Sequence, residues 1–254
     1  MKKLHVVVMS LLAASVVWVQ SAQAADAPVK AVPLELYACS WQEGKGMKDL
    51  EKVNAQFNKW AKKHDANYSA WTITPQFRSS DQPFGVGWIG AWKDGASMGA
   101  GLQAFKDSGR DVGMAFGEVI DCSDSHGLFS SVMLSTPNGE PSKTPLVQFS
   151  SCSIKDGKTA QDAHNAHKSF SDYMISNGAQ AAAWILWPAL GAGDIEFDYY
   201  AVSAYASYAQ LGQAFETYAN GGGWQKAQDD LFSVVDCDEP RLYDGKLVRD
   251  GSGR

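Results

Sequence analysis

Four cysteines, five histidines and a heavy load of aromatic rings carry whatever chemistry this chain performs. The cysteines are Cys39, Cys122, Cys152 and Cys237. None forms a C-x-x-C pair, so neither dithiol redox chemistry nor a zinc-thiolate site has a sequence basis. An even set of widely spaced cysteines reads as two disulfides in an oxidising compartment. Two symmetric pairings are open: Cys39–Cys122 with Cys152–Cys237, or Cys39–Cys152 with Cys122–Cys237. His164-x-x-His167 sets two imidazoles one helical turn apart, the start of a metal site, but no third ligand is assignable. Both are read as solvated or locally bonded, and no metal is expected. His126 opens a strand just after Cys122, where a catalytic or haem-ligating role is conceivable. His64 ends a helix, where an imidazolium complements the dipole. Gly44-Lys45 and Gly157-Lys158-Thr159 each lie between a strand and a helix. A phosphate loop needs glycine five positions before its Gly-Lys, and Cys39 and Cys152 stand there instead. Thr159-x-x-Asp162 is a helix-capping pattern, and Asp49 is given the same role. No catalytic residue and no cofactor are assigned.

The aromatic residues offer the best candidate for a binding site. The chain has nine Trp, nine Tyr and eleven Phe. Trp71, Trp88, Trp92, Trp184, Tyr199 and Tyr205 fall in expected strands and are taken as ligand-binding residues. Alternation puts Trp88 and Trp92 on one face and Ile89 and Ala91 on the other. One face of each sheet must pack on helices, and the other must line whatever the sheets enclose. An aromatic-lined cavity suits a flat or apolar ligand, oriented by indole N–H and phenol O–H groups. Gly87, Gly90 and Ser203 leave room beside the large rings.

The elements that must position these residues occur twice. From Cys39 to Gly99 the sequence recurs from Cys152 to Gly212 at a constant offset of 113, with 15 identities in 61 positions. Chance gives roughly four, so this is a tandem duplication. Periodicity predicts a strand over 34–41, then a helix with Met47, Leu50, Val53, Phe57, Trp60 and Ala61 at helical spacing. Strands over 68–77 and 84–92 follow, then helical segments near 97–106 and 112–120, and a strand over 126–134. The second copy repeats this: strand 146–154, helix 159–176, strands 182–188 and 197–205, helices 207–219 and 224–235, strand 241–248. Each copy is β-α-β-β-α-β, the ferredoxin-like order. In that order the fourth strand lies antiparallel beside the first. Its start, next to Cys122 or Cys237, meets the end of the first, at Cys39 or Cys152. Pairing within each repeat therefore suits the fold better.

The ends bound the compartment. Lys2 and Lys3, an apolar run over 6–19 and Ala22-Gln23-Ala24 form an export signal, so residues 1–24 are expected to be removed. The first repeat then occupies 25–135, a linker 136–145 and the second repeat 146–254. The mature net charge is (22 − 2) − 28 = −8. With no clustered Lys or Arg, binding to nucleic acid or to anionic lipid is disfavoured. No membrane span is expected in the mature chain. The protein is expected in the periplasm or outside the cell.

A ferredoxin-like unit with a strand-final Trp-x-x-x-Pro (Trp71 to Pro75, Trp184 to Pro188), present in pairs, resembles the dimeric α+β barrel superfamily. The resemblance implies an α+β fold in which two tandem units join their sheets into one pseudo-dimeric barrel. A fused pair would leave the chain monomeric. The superfamily includes cofactor-free monooxygenases, haem enzymes, isomerases and proteins without known activity, and none of its catalytic motifs is visible here. The functional expectation is an exported protein that binds a small aromatic or apolar molecule in an aromatic-lined barrel cavity. The alternatives are a cofactor-free monooxygenase or haem enzyme of that superfamily, or a structural module without a ligand.

Overall fold

The computed structural model describes residues 30–78, 80, 84–123, 125–136, 142–193 and 195–251. The export signal expected at 1–24 and residues 137–141 of the expected linker lie outside the described residues. The first unit contains β1 (Ala31–Trp41), α1 (Met47–Lys63), β2 (Tyr68–Phe77), β3 (Val86–Trp92), α2 (Gly95–Ser108), α3 (Arg110–Gly117), the two-residue β4 (Ile120–Asp121) and β5 (His126–Ser135). The second contains β6 (Leu146–Ile154), α4 (Ala160–Ser176), β7 (Ala182–Leu190), β8 (Tyr199–Tyr205), α5 (Tyr208–Ala219), α6 (Gly223–Lys226), β9 (Val235–Cys237) and β10 (Arg241–Arg249). Among the described residues no helix is long and apolar enough to cross a membrane.

The helices follow their apolar spacing and their caps. Leu50, Val53, Phe57 and Ala61 form the buried stripe of α1, and Lys62 and Lys63 complement its C-terminal dipole. Asp94 caps α2 by accepting from the Ser97 amide, and Ser207 caps α5 by accepting from the Gln210 amide. Thr159 and Asp162 form the expected reciprocal capping box of α4. Asp49 takes a different part: its carboxylate pairs with Lys52 at 3.0 Å, and Gly46 precedes the helix without a side-chain cap. The helix expected over 224–235 is a single turn that runs into a π-helical turn at Ala227–Leu231. There Asp230 is held by Lys226 and by the Ser169 hydroxyl.

Strand pairing confirms the duplication residue by residue. Leu34 faces Ala91 in the first unit, and Val147 faces Ala204 in the second, each shifted by 113. Leu34 also faces Phe129, and Val147 faces Tyr243, so the fourth strands correspond at 243 − 129 = 114. The sheets join along two equivalent seams, β5 with β7 and β10 with β2. The eight long strands therefore close in the order β2-β3-β1-β5-β7-β8-β6-β10 and back to β2. Pro75 and Pro188 both sit at the register shift of their seam. Proline gives no amide to a ladder, so a bulge is where it is tolerated. The fold is the pseudo-dimeric α+β barrel that the resemblance implied.

The interior packs Ile73, Ile89 and Phe129 of the first unit against Val147, Phe149, Leu186, Val202 and Tyr243 of the second. The outer faces of the sheets pack on helices, α1 to α3 on one and α4 to α6 on the other. Two disulfides, Cys39–Cys122 and Cys152–Cys237, pin the first strand of each unit to the segment entering its fourth strand.

Candidate ligand-binding site

The outer face of the first unit's sheet does not meet its helices everywhere. It leaves an apolar slot of about 410 Å³ between β1 to β3 below and α1, α2 and α3 above. Alternation along the strands sends Glu35 and Tyr37 of β1, Tyr68 of β2, and Trp88 and Trp92 of β3 outward into it. The helices bring Phe57 and Trp60 of α1, Phe105 of α2 and Phe116 of α3. The rings meet mostly edge to face. Phe57 lies 5.5 Å from Trp88 and 6.0 Å from Tyr68, and Trp88 lies 5.5 Å from Phe116. These are favourable arrangements of aromatic quadrupoles, and they fix the walls.

A buried polar chain crosses the floor. The Trp88 indole N–H donates to the Tyr68 hydroxyl at 2.8 Å, and that hydroxyl donates to Glu35 Oε2 at 2.9 Å. Glu35 Oε1 lies 3.6 Å from His126 Nε2, and the His126 ring stacks on Tyr37 at 3.7 Å. Glu35 is only 6 % exposed, so this carboxylate depends on these partners. Burial, reinforced by the Glu35 charge, holds the phenols of Tyr37 and Tyr68 well above the usual tyrosine range. Both are therefore protonated donors at neutral pH. Gly90 makes the chain possible. It pairs with Glu35 and with Ala70, and a Cβ there would lie 1.7 Å from the Tyr68 hydroxyl oxygen. Gly101 similarly admits the Trp92 ring, which a Cβ would meet at 2.2 Å.

Among the described residues the second unit does not repeat the slot's polar chain. Adding 113 carries Glu35, Tyr68, Trp88 and Trp92 to Gln148, Ala181, Ala201 and Tyr205. Tyr205 packs with Leu146, Ala179, Ala214 and Leu242. Tyr199 is fully buried beneath α4, 4.6 Å from the Trp187 ring, and shares a 2.8 Å hydrogen bond with His167 Nε2. The six aromatic residues singled out from sequence therefore fall in three places. Trp88 and Trp92 line the slot. Tyr199 and Tyr205 lie under the helices of the second unit. Trp71 and Trp184, equivalent by the repeat, border the barrel interior. Phe57 and Trp60 are expected from sequence only as apolar helix positions, and Glu35, Tyr37, Tyr68, Phe105 and Phe116 carry no sequence expectation for the site. The available signal was Glu35 itself, a lone acid at an outward position of an otherwise apolar strand.

His164 and His167 do not act as a pair. His167 is buried and its ring nitrogen lies within 4.8 Å of the Cys152 and Cys237 sulfurs. Those sulfurs are joined in a disulfide and offer no thiolate, so the trio is packing and not a metal site. Burial, helped by the nearby His164, depresses the His167 pKa to about 4. An unfolded chain protonates this ring near pH 6.5, and the folded chain near pH 4. Stability is therefore full above the upper value and is lost as pH falls through the window to the lower one. The expected loss from His167 is about 3 kcal/mol below pH 4. Urea unfolding between pH 7 and 4 checks this: His167→Gln should flatten the slope across the window, and an unchanged slope would assign it to other groups.

No protein-family model matches the chain, and no curated protein matches it in sequence. Solved structures do match its fold. A proposed monooxygenase from Fusobacterium nucleatum aligns at 7 % identity over 86 % of this chain and 93 % of its own, with a TM-score of 0.58. Another from Lactobacillus acidophilus aligns at 10 % identity over 87 % and 98 %, with a TM-score of 0.52. Chlorite dismutase from Candidatus Nitrospira defluvii, solved with imidazole, aligns at 8 % identity over 85 % and 90 %, with a TM-score of 0.51. The protein has the fold of the dimeric α+β barrel superfamily, with both units on one chain.

Haem is a cofactor that the resemblance to that superfamily implies. Haem iron needs an axial His, Cys, Met or Tyr. Among the described residues the slot is lined by no histidine, methionine or free thiol, and its tyrosines are protonated phenols. His126 stands behind Tyr37, and His167 is bonded to Tyr199 in the other unit. The described residues of the slot do not fit haem.

Proposed function

We propose that this chain is an exported binding protein that holds a small, flat, largely apolar molecule in the slot of its first unit. The observation that carries this reading is the slot's lining: aromatic walls, with Glu35 and Asp121 as its charged residues, both acidic. An apolar cavity of this size with a few polar groups is the usual form of a small-molecule site. A carboxylate and a phenol at the floor favour a ligand that is neutral or cationic and carries one hydrogen-bond donor. Aromatic faces add to the preference for a cation. The export signal and two disulfides support a location outside the cytoplasm. Because the two units already close one barrel, we read the protein as a monomer.

Two glycines make the test clean. Gly113 and Gly117 line the slot, and a Cβ at Gly113 would meet nothing nearer than 3.8 Å, at Gly117 nothing within 4 Å. Gly113→Leu and Gly117→Leu should fold at least as well as the parent, since leucine is the better helix former. They should also fill the slot. With 2-naphthol as probe, binding followed by its fluorescence should weaken at least tenfold in either variant, about 1.4 kcal/mol. Naphthalene-2-carboxylate, of like shape but anionic, should bind the parent poorly. Undiminished 2-naphthol binding in both filled variants would remove the slot as the site.

A further inference from the structure

A second cavity, of about 360 Å³, opens at one end of the barrel interior. Its lining contains Leu36 and Phe149, Phe84 and Phe197, Phe129 and Tyr243, and Gly127 and Arg241. The first two pairs are related by 113 and the last two by 114, the offsets that strand pairing established. Leu36 faces Gly127 as Phe149 faces Arg241. A cavity lined by both members of several equivalent pairs lies on the pseudo-twofold axis. In a dimer of identical chains such a site would have identical halves. Here the halves differ at one charged position: the second unit has Arg241 where the first has Gly127.

Arg241 is 7 % exposed, a charge held deep at the cavity wall. Its guanidinium pairs with Asp238 and donates to the Ser151 hydroxyl at 3.0 Å, and its buried Nε–H has no partner. Tyr243, which also lines the cavity, is hydrogen-bonded to the Arg241 side chain. His126 lines the same space, and among the described residues no carboxylate does. The remaining walls are aromatic, with Phe129 and Phe197 against Tyr200. This is the opposite polarity to the slot, where every charged lining residue is acidic. We propose that the barrel interior is a second ligand site, for a small aromatic carboxylate whose anionic end meets Arg241 and whose ring lies among the paired aromatic residues. A guanidinium suits a planar carboxylate because its N–H donors match both oxygens.

Benzoate and benzamide share one shape and differ in charge, so the pair isolates Arg241. Nuclear magnetic resonance titration of the isotopically labelled mature protein, at fixed ionic strength, reads both affinity and place. Benzoate should saturate with a dissociation constant on the order of 1 mM. It should shift signals of Phe129, Phe149 and Tyr243 while leaving Phe57 and Trp60, which line the slot alone, in place, and it should bind about tenfold tighter than benzamide. Arg241→Gln should bring the two ligands to parity. Should that variant fail to fold, Ala192→Phe, which narrows the cavity at a half-buried loop position, should weaken benzoate while leaving 2-naphthol binding unchanged. Equal affinities in the parent, shifts confined to the slot, or no saturation up to about 10 mM would each overturn the proposal.

Discussion

Tyr68→Phe is expected to destabilise the protein by about 4 kcal/mol, far more than the loss of one oxygen suggests. The hydroxyl accepts from Trp88 and donates to Glu35, so removing it leaves a buried indole N–H and a buried carboxylate oxygen both without that partner. Each orphaned group costs its own desolvation, and the charged one costs more. The effect should be strongly non-additive. With Glu35→Leu already present the carboxylate is gone, and Tyr68→Phe should then cost at least about 1 kcal/mol less than it does alone. Urea unfolding of the parent, both single variants and the double variant at pH 7 measures this coupling. Additive costs would mean that the chain across the slot floor is not a cooperative unit.

Replacing Cys39 and Cys122 together by alanine should cost a similar amount, about 4 kcal/mol, for a different reason. The bridge spans 83 residues, so it removes a large share of the unfolded chain's freedom. The chain-entropy relation gives about 4.5 kcal/mol for such a loop, with native strain reducing it. The Cys152–Cys237 bridge spans 85 residues and should count nearly the same. For a protein of this size the melting temperature should fall by about 10 °C for either bridge. A shift under about 3 °C for both would show that the reduced chain already holds the strand pairs in place.

Much of the fold is legible in the sequence because duplication writes it twice. The identities between Cys39 and Gly99 and their partners locate the strands, and Trp71, Pro75, Trp184 and Pro188 mark the seams. The element order also indicates the pairing of the cysteines, since it places Cys39 beside Cys122. The slot is less legible. Period-two alternation separates Trp88 from Ile89, but it does not say which face meets the helices. Trp71 and Trp88, both expected in a common cavity, lie on opposite sides of the sheet for that reason. Glu35 gains its importance only from Tyr68 and Gly90, which the strand register brings together across three strands. The asymmetry between the units is visible as Trp88 against Ala201, yet only the packing shows the slot in the first unit and Tyr205 set among Leu146, Ala179, Ala214 and Leu242 in the second.

The way the barrel closes also orders its assembly. Ile73 of β2 pairs with Gly245 of β10, a separation of 245 − 73 = 172 residues. The last long strand is the closing stave, seated between β2 and β6. A chain emerging from its N-terminus can build the first sheet early, but that sheet waits with β2 unpaired until the final residues arrive. An unpaired edge is an invitation to another chain. The period of exposure lasts as long as it takes to deliver the second unit. Shortening the C-terminus by one strand would make that transient edge permanent.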